Sequence, residues 1–76
     1  MTNTELLKEK IKSSGYRNAY LAECLGISLQ AFLNKVNNKN DFKVPEMCVL
    51  SEMLKLNEEE RDAVFFAKKV DETATV

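Results

Sequence analysis

The sequence predicts an all-α fold, a compact set of five helices in which the second and third form a helix-turn-helix. Three observations carry that prediction. Two Gly and one Pro in 76 residues are too few for a chain of short strands and tight turns. Apolar residues recur one turn apart in successive segments, the spacing of a helix face. The stretch from Arg17 to Asn38, RNAYLAECLGISLQAFLNKVNN, reads as two short helices around an elbow at Leu25-Gly26-Ile27.

The length fits one small domain, assigned to residues 1–70, with a polar tail at 71–76. Apolar content of 45% and charged content of 30% are those of a soluble globular protein. No apolar run nears the ~20 residues that span a bilayer, so no membrane partner is expected. The opening MTNTELLKEK lacks the basic-then-apolar order of a signal peptide. A cytoplasmic location is the expectation. Cys24 and Cys48 are the only cysteines and His is absent, so no metal or other cofactor is expected. Each thiol reads as a small reduced hydrophobe.

The net charge of −1 conceals an asymmetry. Lys8 to Lys43 holds seven Lys or Arg against three Asp or Glu, whereas Val44 onward holds four against eight. A chain with one basic end can bind phosphate locally. Ordinary scatter of surface charge explains the same counts equally well.

The first helix is expected over Thr4 to Ser14, capped by Asn3 or Thr4, with Leu7 and Ile11 inward and Lys8, Lys10 and Lys12 on other faces. Gly15 supplies its stop, and Tyr16 is expected to fold back as an apolar plug. The second helix covers about Arg17 to Leu25, with Leu21, Ala22 and Leu25 inward. Gly26 takes the positive φ that ends it, and Ser28 caps the third helix, Leu29 to Val36. Phe32 and Val36 face inward there, spaced i, i+4.

Asn37-Asn38-Lys39-Asn40-Asp41 is a loop by composition, and Phe42 pins it to the core. Pro45 fits the first position of a fourth helix, whose buried stripe is Met47, Leu50, Met53 and Leu54, with Leu56 over the join. Asn57 with Glu60 makes a capping box for a fifth helix reaching about Lys69. Val64, Phe65 and Phe66 are its apolar content.

With LAECLGIS across the elbow, then Phe32, Val36 and Asn37-Asn38-Lys39, the chain resembles the phage repressor and Cro family, the XRE-type helix-turn-helix domains. The resemblance covers roughly Glu5 to Leu56. Asp41-Phe42-Lys43, Glu60-Arg61-Asp62 and Phe65-Phe66-Ala67 are similar to small prophage regulators of this kind. It implies a lambda-repressor-like DNA-binding domain that regulates transcription from a double-stranded DNA operator.

The family lays its third helix in the major groove. The resemblance therefore implies that Leu29, Gln30, Ala31 and Asn34 read bases. Gln30 and Asn34 can each pair bidentately with adenine, and Leu29 and Ala31 can touch only a thymine methyl. An A·T-rich half-site is the expectation. Phosphate contacts are carried over to Arg17, Asn18, Lys35, Lys39, Asn40 and Lys43; these would position without reading sequence. Arg17 departs from the family by replacing the usual capping Thr or Ser, a cap worth ~1 kcal/mol.

A homodimer is expected, placing two third helices about one DNA turn, ~34 Å, apart. The fourth and fifth helices are its expected interface, with Cys48, Val49 and Phe65 or Phe66 as candidates. Leu33 stays open between DNA contact and an apolar patch for a protein. The rival function is a protein-binding module on the same fold, an antirepressor or antitoxin-like partner, suggested by the acidic C-terminal half and by Leu29 and Leu33. Catalysis is not expected: there is no His, no Gly-rich phosphate loop, and no Ser or Cys beside an identifiable base. No small-molecule ligand is expected either.

Overall fold

A computed structural model describes residues 1–66. Those residues form five helices and no strand: α1 Thr4–Ser14, α2 Asn18–Leu25, α3 Leu29–Val36, α4 Val44–Met53 and α5 Glu58–Phe65. Helix α2 packs on α3 and α4, while α1 packs on α3 and α5. Leu7, Leu21, Phe32, Leu50, Val64 and Phe65 are the fully buried side chains at the centre. Among the described residues no helix is long and apolar enough to cross a membrane.

Polar side chains define the helix starts. Asn3 accepts from the Leu6 N–H at 3.1 Å, Ser28 from Ala31 at 3.1 Å, and Asn57 from Glu60 at 2.7 Å. Glu60 Oε1 in turn accepts the Asn57 N–H at 3.0 Å, completing the expected box. Thr4 does not cap α1. Its hydroxyl donates to the Val36 carbonyl at 2.6 Å, closing the end of α3 instead.

Three helix ends share one device. After α2, Gly26 (φ 75) lets Ile27 N–H reach the Ala22 carbonyl at 3.0 Å. Asn38 (φ 65) lets Lys39 N–H reach Asn34 at 2.8 Å, and Lys55 (φ 56) lets Leu56 N–H reach Ser51 at 2.9 Å. Each is a left-handed residue followed by a bond back across the last turn. Glycine takes this conformation freely and Asn readily, whereas Lys is strained in it.

Phe42 does anchor the loop after α3. Its ring meets Phe32 at 6.2 Å and Phe65 at 5.4 Å, both edge-on, so one loop residue bridges α3 and α5. Edge-on pairs add about 0.5–1.5 kcal/mol beyond burial. The same loop is tied to the chain start. Asn38 accepts the Thr2 N–H at 2.9 Å and donates to the Thr2 carbonyl and the Thr4 hydroxyl. The Asn3 N–H reaches the Val64 carbonyl at 2.7 Å.

Several expectations are corrected. Tyr16 is no plug: it is 40% exposed, with its ring against Tyr20 at 5.6 Å. A 3.6-residue repeat cannot place a residue that lies between helices. Helix α2 starts at Asn18, with Arg17 at its N-cap and no side-chain cap, the loss expected where Arg replaces Thr or Ser, and α4 starts one residue before Pro45. Both cysteines are free thiols, as expected, and both are exposed. Helix α5 ends at Phe65, and the expected extension over Lys68 and Lys69 lies outside the described residues, as does the 71–76 tail. Phe65 is buried and unavailable to a partner, whereas Cys48, Val49 and Phe66 are exposed.

Candidate nucleic-acid interface

The outer face of α3 follows from its inner one. Phe32 and Val36 are buried, and Leu33 is half-buried against the core. That turns Gln30 outward, with Ala31 and Asn34 half-exposed beside it. Leu29 lies one turn before Leu33 on the same side of the helix and owes its 44% exposure to its place at the helix start. Gln30 Nε2 donates to Asn34 Oδ1 at 3.1 Å, a bond across one helical turn.

That bond differentiates two amides that look equivalent in the sequence. Gln30 keeps Oε1 and its second N–H free, the acceptor-donor pair that matches adenine N6 and N7. Asn34 gives one lone pair of its oxygen to that bond and keeps both N–H groups to donate, which suit N7, guanine O6 or thymine O4. So Gln30 retains bidentate capacity for adenine and Asn34 serves as its brace.

Around this face the expected phosphate contacts divide. Arg17 and Asn18 are exposed at the start of α2, and Lys39, Asn40 and Lys43 are exposed in and after the loop. Among the described residues, none of these three basic side chains is in an ion pair. The loop's path is fixed by its backbone: both Lys39 and Asn40 N–H groups point at the Asn34 carbonyl, at 2.8 and 3.4 Å.

Lys35 does not join them. Its ammonium donates to Glu46 Oε1 at 2.6 Å, with both side chains only 11% exposed. Burial pushes the Glu46 carboxyl up. The Lys35 hydrogen bond, the Lys43 N–H at 2.9 Å and the charges of both lysines outweigh it, and the carboxyl lies below its ordinary value. One carboxylate thus caps α4 and neutralises α3's last basic residue. The i, i+11 spacing that joins them crosses a loop, which no helical periodicity spans.

The outward face of α2 carries Tyr20 and Cys24, with Tyr16, from the turn before it, stacked beside Tyr20. A hydrogen bond with Cys24 is the main cause that raises the Tyr20 phenol above its ordinary value. Among the described residues no group of His, Cys, Asp or Glu is arranged to hold a metal.

One further polar role escapes sequence reasoning. Asn38 reads as one Asn in a polar loop yet ties that loop to Thr2 and Thr4. Comparison of the chain with protein-family models, with curated proteins and with solved structures finds no match.

Proposed function

We propose that this chain is a sequence-specific, double-stranded-DNA-binding regulator of the phage repressor and Cro type, with a lambda-repressor-like arrangement of its helices. Helix α3 enters the major groove and Gln30, braced by Asn34, reads an adenine. The observation that carries this is the exposed, hydrogen-bonded Gln30–Asn34 pair on a helix set at a glycine elbow. Arg17 on one side and Lys39 and Lys43 on the other supply phosphate contacts, which fix register without reading sequence. A homodimer would present two such helices ~34 Å apart, using the exposed Cys48, Val49 and Phe66.

The test is an anisotropy titration of the whole chain with labelled A·T-rich and G·C-only duplexes at two salt concentrations. Salt-dependent binding to both is expected, tighter to the A·T-rich duplex. Gln30→Ala should remove about 1–3 kcal/mol of that preference. Equal affinity for both duplexes would sink the base assignment, and absence of salt-dependent binding would sink the function. Sedimentation with and without duplex tests the dimer, which a strict monomer in both would exclude. The second reading, a protein-binding module, draws on the exposed Tyr16–Tyr20 ring pair, which has no role in groove reading.

A further inference from the structure

The face of α1 turned towards α2 and α3 carries a groove of about 590 Å³. Its floor is apolar, formed by Ile11, Leu33 and Val36. Three cations stand around it: Lys8 and Lys12 from α1, and Arg17 from the residue before α2. No acidic side chain lines it. None of the three cations is in an ion pair among the described residues, whereas Lys10, on the neighbouring face of α1, is held by Glu60 at 2.7 Å. Asn18 and Asn37 complete the rim, one at the start of α2 and the other just past α3.

We infer that this groove binds the sugar-phosphate backbone of a DNA strand, with Lys8 and Lys12 of α1 as phosphate contacts beyond those of the helix-turn-helix itself. The assignment rests on duplex DNA being the partner. Charge selects a polyanion, because three like charges converge where nothing on the protein neutralises them. The apolar floor suits the carbon face of a deoxyribose between two phosphates. Position selects DNA over an acidic protein. Leu33 and Asn37 belong to the end of α3 and Arg17 to the start of α2, so the groove continues the edge of the base-reading face. A strand crossing the start of α2 would run directly into it. Lys8 and Lys12, one turn apart on α1, are spaced to meet one phosphate or two adjacent ones.

Counterion release makes this measurable. Each phosphate contact steepens the fall of log K with log salt by about 0.9. Binding of the whole chain to a random-sequence duplex is followed from 50 to 200 mM salt. The variant Lys8→Gln/Lys12→Gln should flatten the slope by about 1 to 2 units, so that it loses up to roughly twelvefold less affinity over that range than the wild type. Lys8→Arg/Lys12→Arg should keep the wild-type slope. Lys55→Gln, which removes a lysine beyond α4, should also leave it unchanged. Thermal melts confirm that each variant folds. A glutamine pair with the wild-type slope overturns the inference while leaving base reading by α3 intact. Equal flattening by Lys55→Gln also overturns it, since bulk charge would then explain the effect. If the wild type binds no duplex, the DNA reading falls and this assignment with it. Salt-sensitive self-association in that case would assign the groove to the acidic start of α5 on a second copy.

Discussion

Replacing Lys35 with Met separates a structural lysine from a DNA-contacting one. Lys35 Nζ lies 2.6 Å from Glu46 Oε1, and both side chains are 11% exposed. Methionine keeps most of the stem's packing and removes the charge. Breaking a fully buried pair costs ~3–5 kcal/mol, because the charge left behind has no partner. Here Glu46 retains the Lys43 N–H at 2.9 Å, together with slight access to water. The expected loss is therefore about 2–3 kcal/mol at pH 7. At about 4–8 °C per kcal/mol for a domain of this size, the melting temperature falls by roughly 10–20 °C. Circular dichroism melts at pH 7 and pH 4 provide the assay. Acid protonates the orphaned Glu46 of the variant, so the gap from wild type should narrow at pH 4. In a DNA titration the salt slope should not change, since Lys35 is not at the surface. A loss below about 0.5 kcal/mol, or a slope flatter by about one unit, would refute the placement of Lys35 in a buried pair.

Three other outcomes are expected. The Glu46 carboxyl is held below its ordinary value in the folded chain, so the unfolded chain binds its proton first; this contribution is full above the unfolded value of ~4.3 and is lost as pH falls through the folded one. Glu46→Gln should flatten the acid limb of a stability-pH profile below about pH 5, and an unchanged limb would count against the pair. Lys55→Gly should raise stability by about 0.5–1.5 kcal/mol and Gly26→Ala should lower it by about 1–2, because both positions have positive φ; urea midpoints decide, and the same sign for both would contradict the backbone. Asn38→Gly should keep the turn but lose the bonds to Thr2 and Thr4, costing about 1–3 kcal/mol and deprotecting the Thr2 and Asn3 amides to hydrogen exchange; unaltered exchange there would mean that Asn38 does not hold them.

Features with a period or a local signature were legible in the sequence. Leu7 with Ile11 and Phe32 with Val36 announce two inner faces, and Gly26, Ser28 and Asn57 announce ends and caps that form as expected. Phe42 was legible for a different reason: a lone aromatic in a polar loop is too costly to leave in water. What stayed hidden is long-range and polar. The bond between Lys35 and Glu46, the tie from Asn38 to Thr2 and the strained turn at Lys55 depend on where the loops bring the backbone. None has a composition signal. Within the candidate site the exposed face of α3 was legible as the complement of Phe32 and Val36. The inequality of Gln30 and Asn34 was not, because it depends on one hydrogen bond.

The Asn38 tie also bears on the order in which the chain folds. Thr2 and Asn38 are separated by 36 positions, and closing a loop of that length costs about 3 kcal/mol of chain entropy before any contact repays it. The elbow between α2 and α3 has no such barrier, as its bonds join residues within a few positions of each other. Residues 2–4 thus form a latch, reaching Asn38 and Val36 on one side and Val64 on the other, and the entropy cost predicts that it closes late. Mutations in it should speed unfolding and leave the folding rate nearly unchanged. The lifetime of the native state, rather than the speed of reaching it, is what these first residues govern.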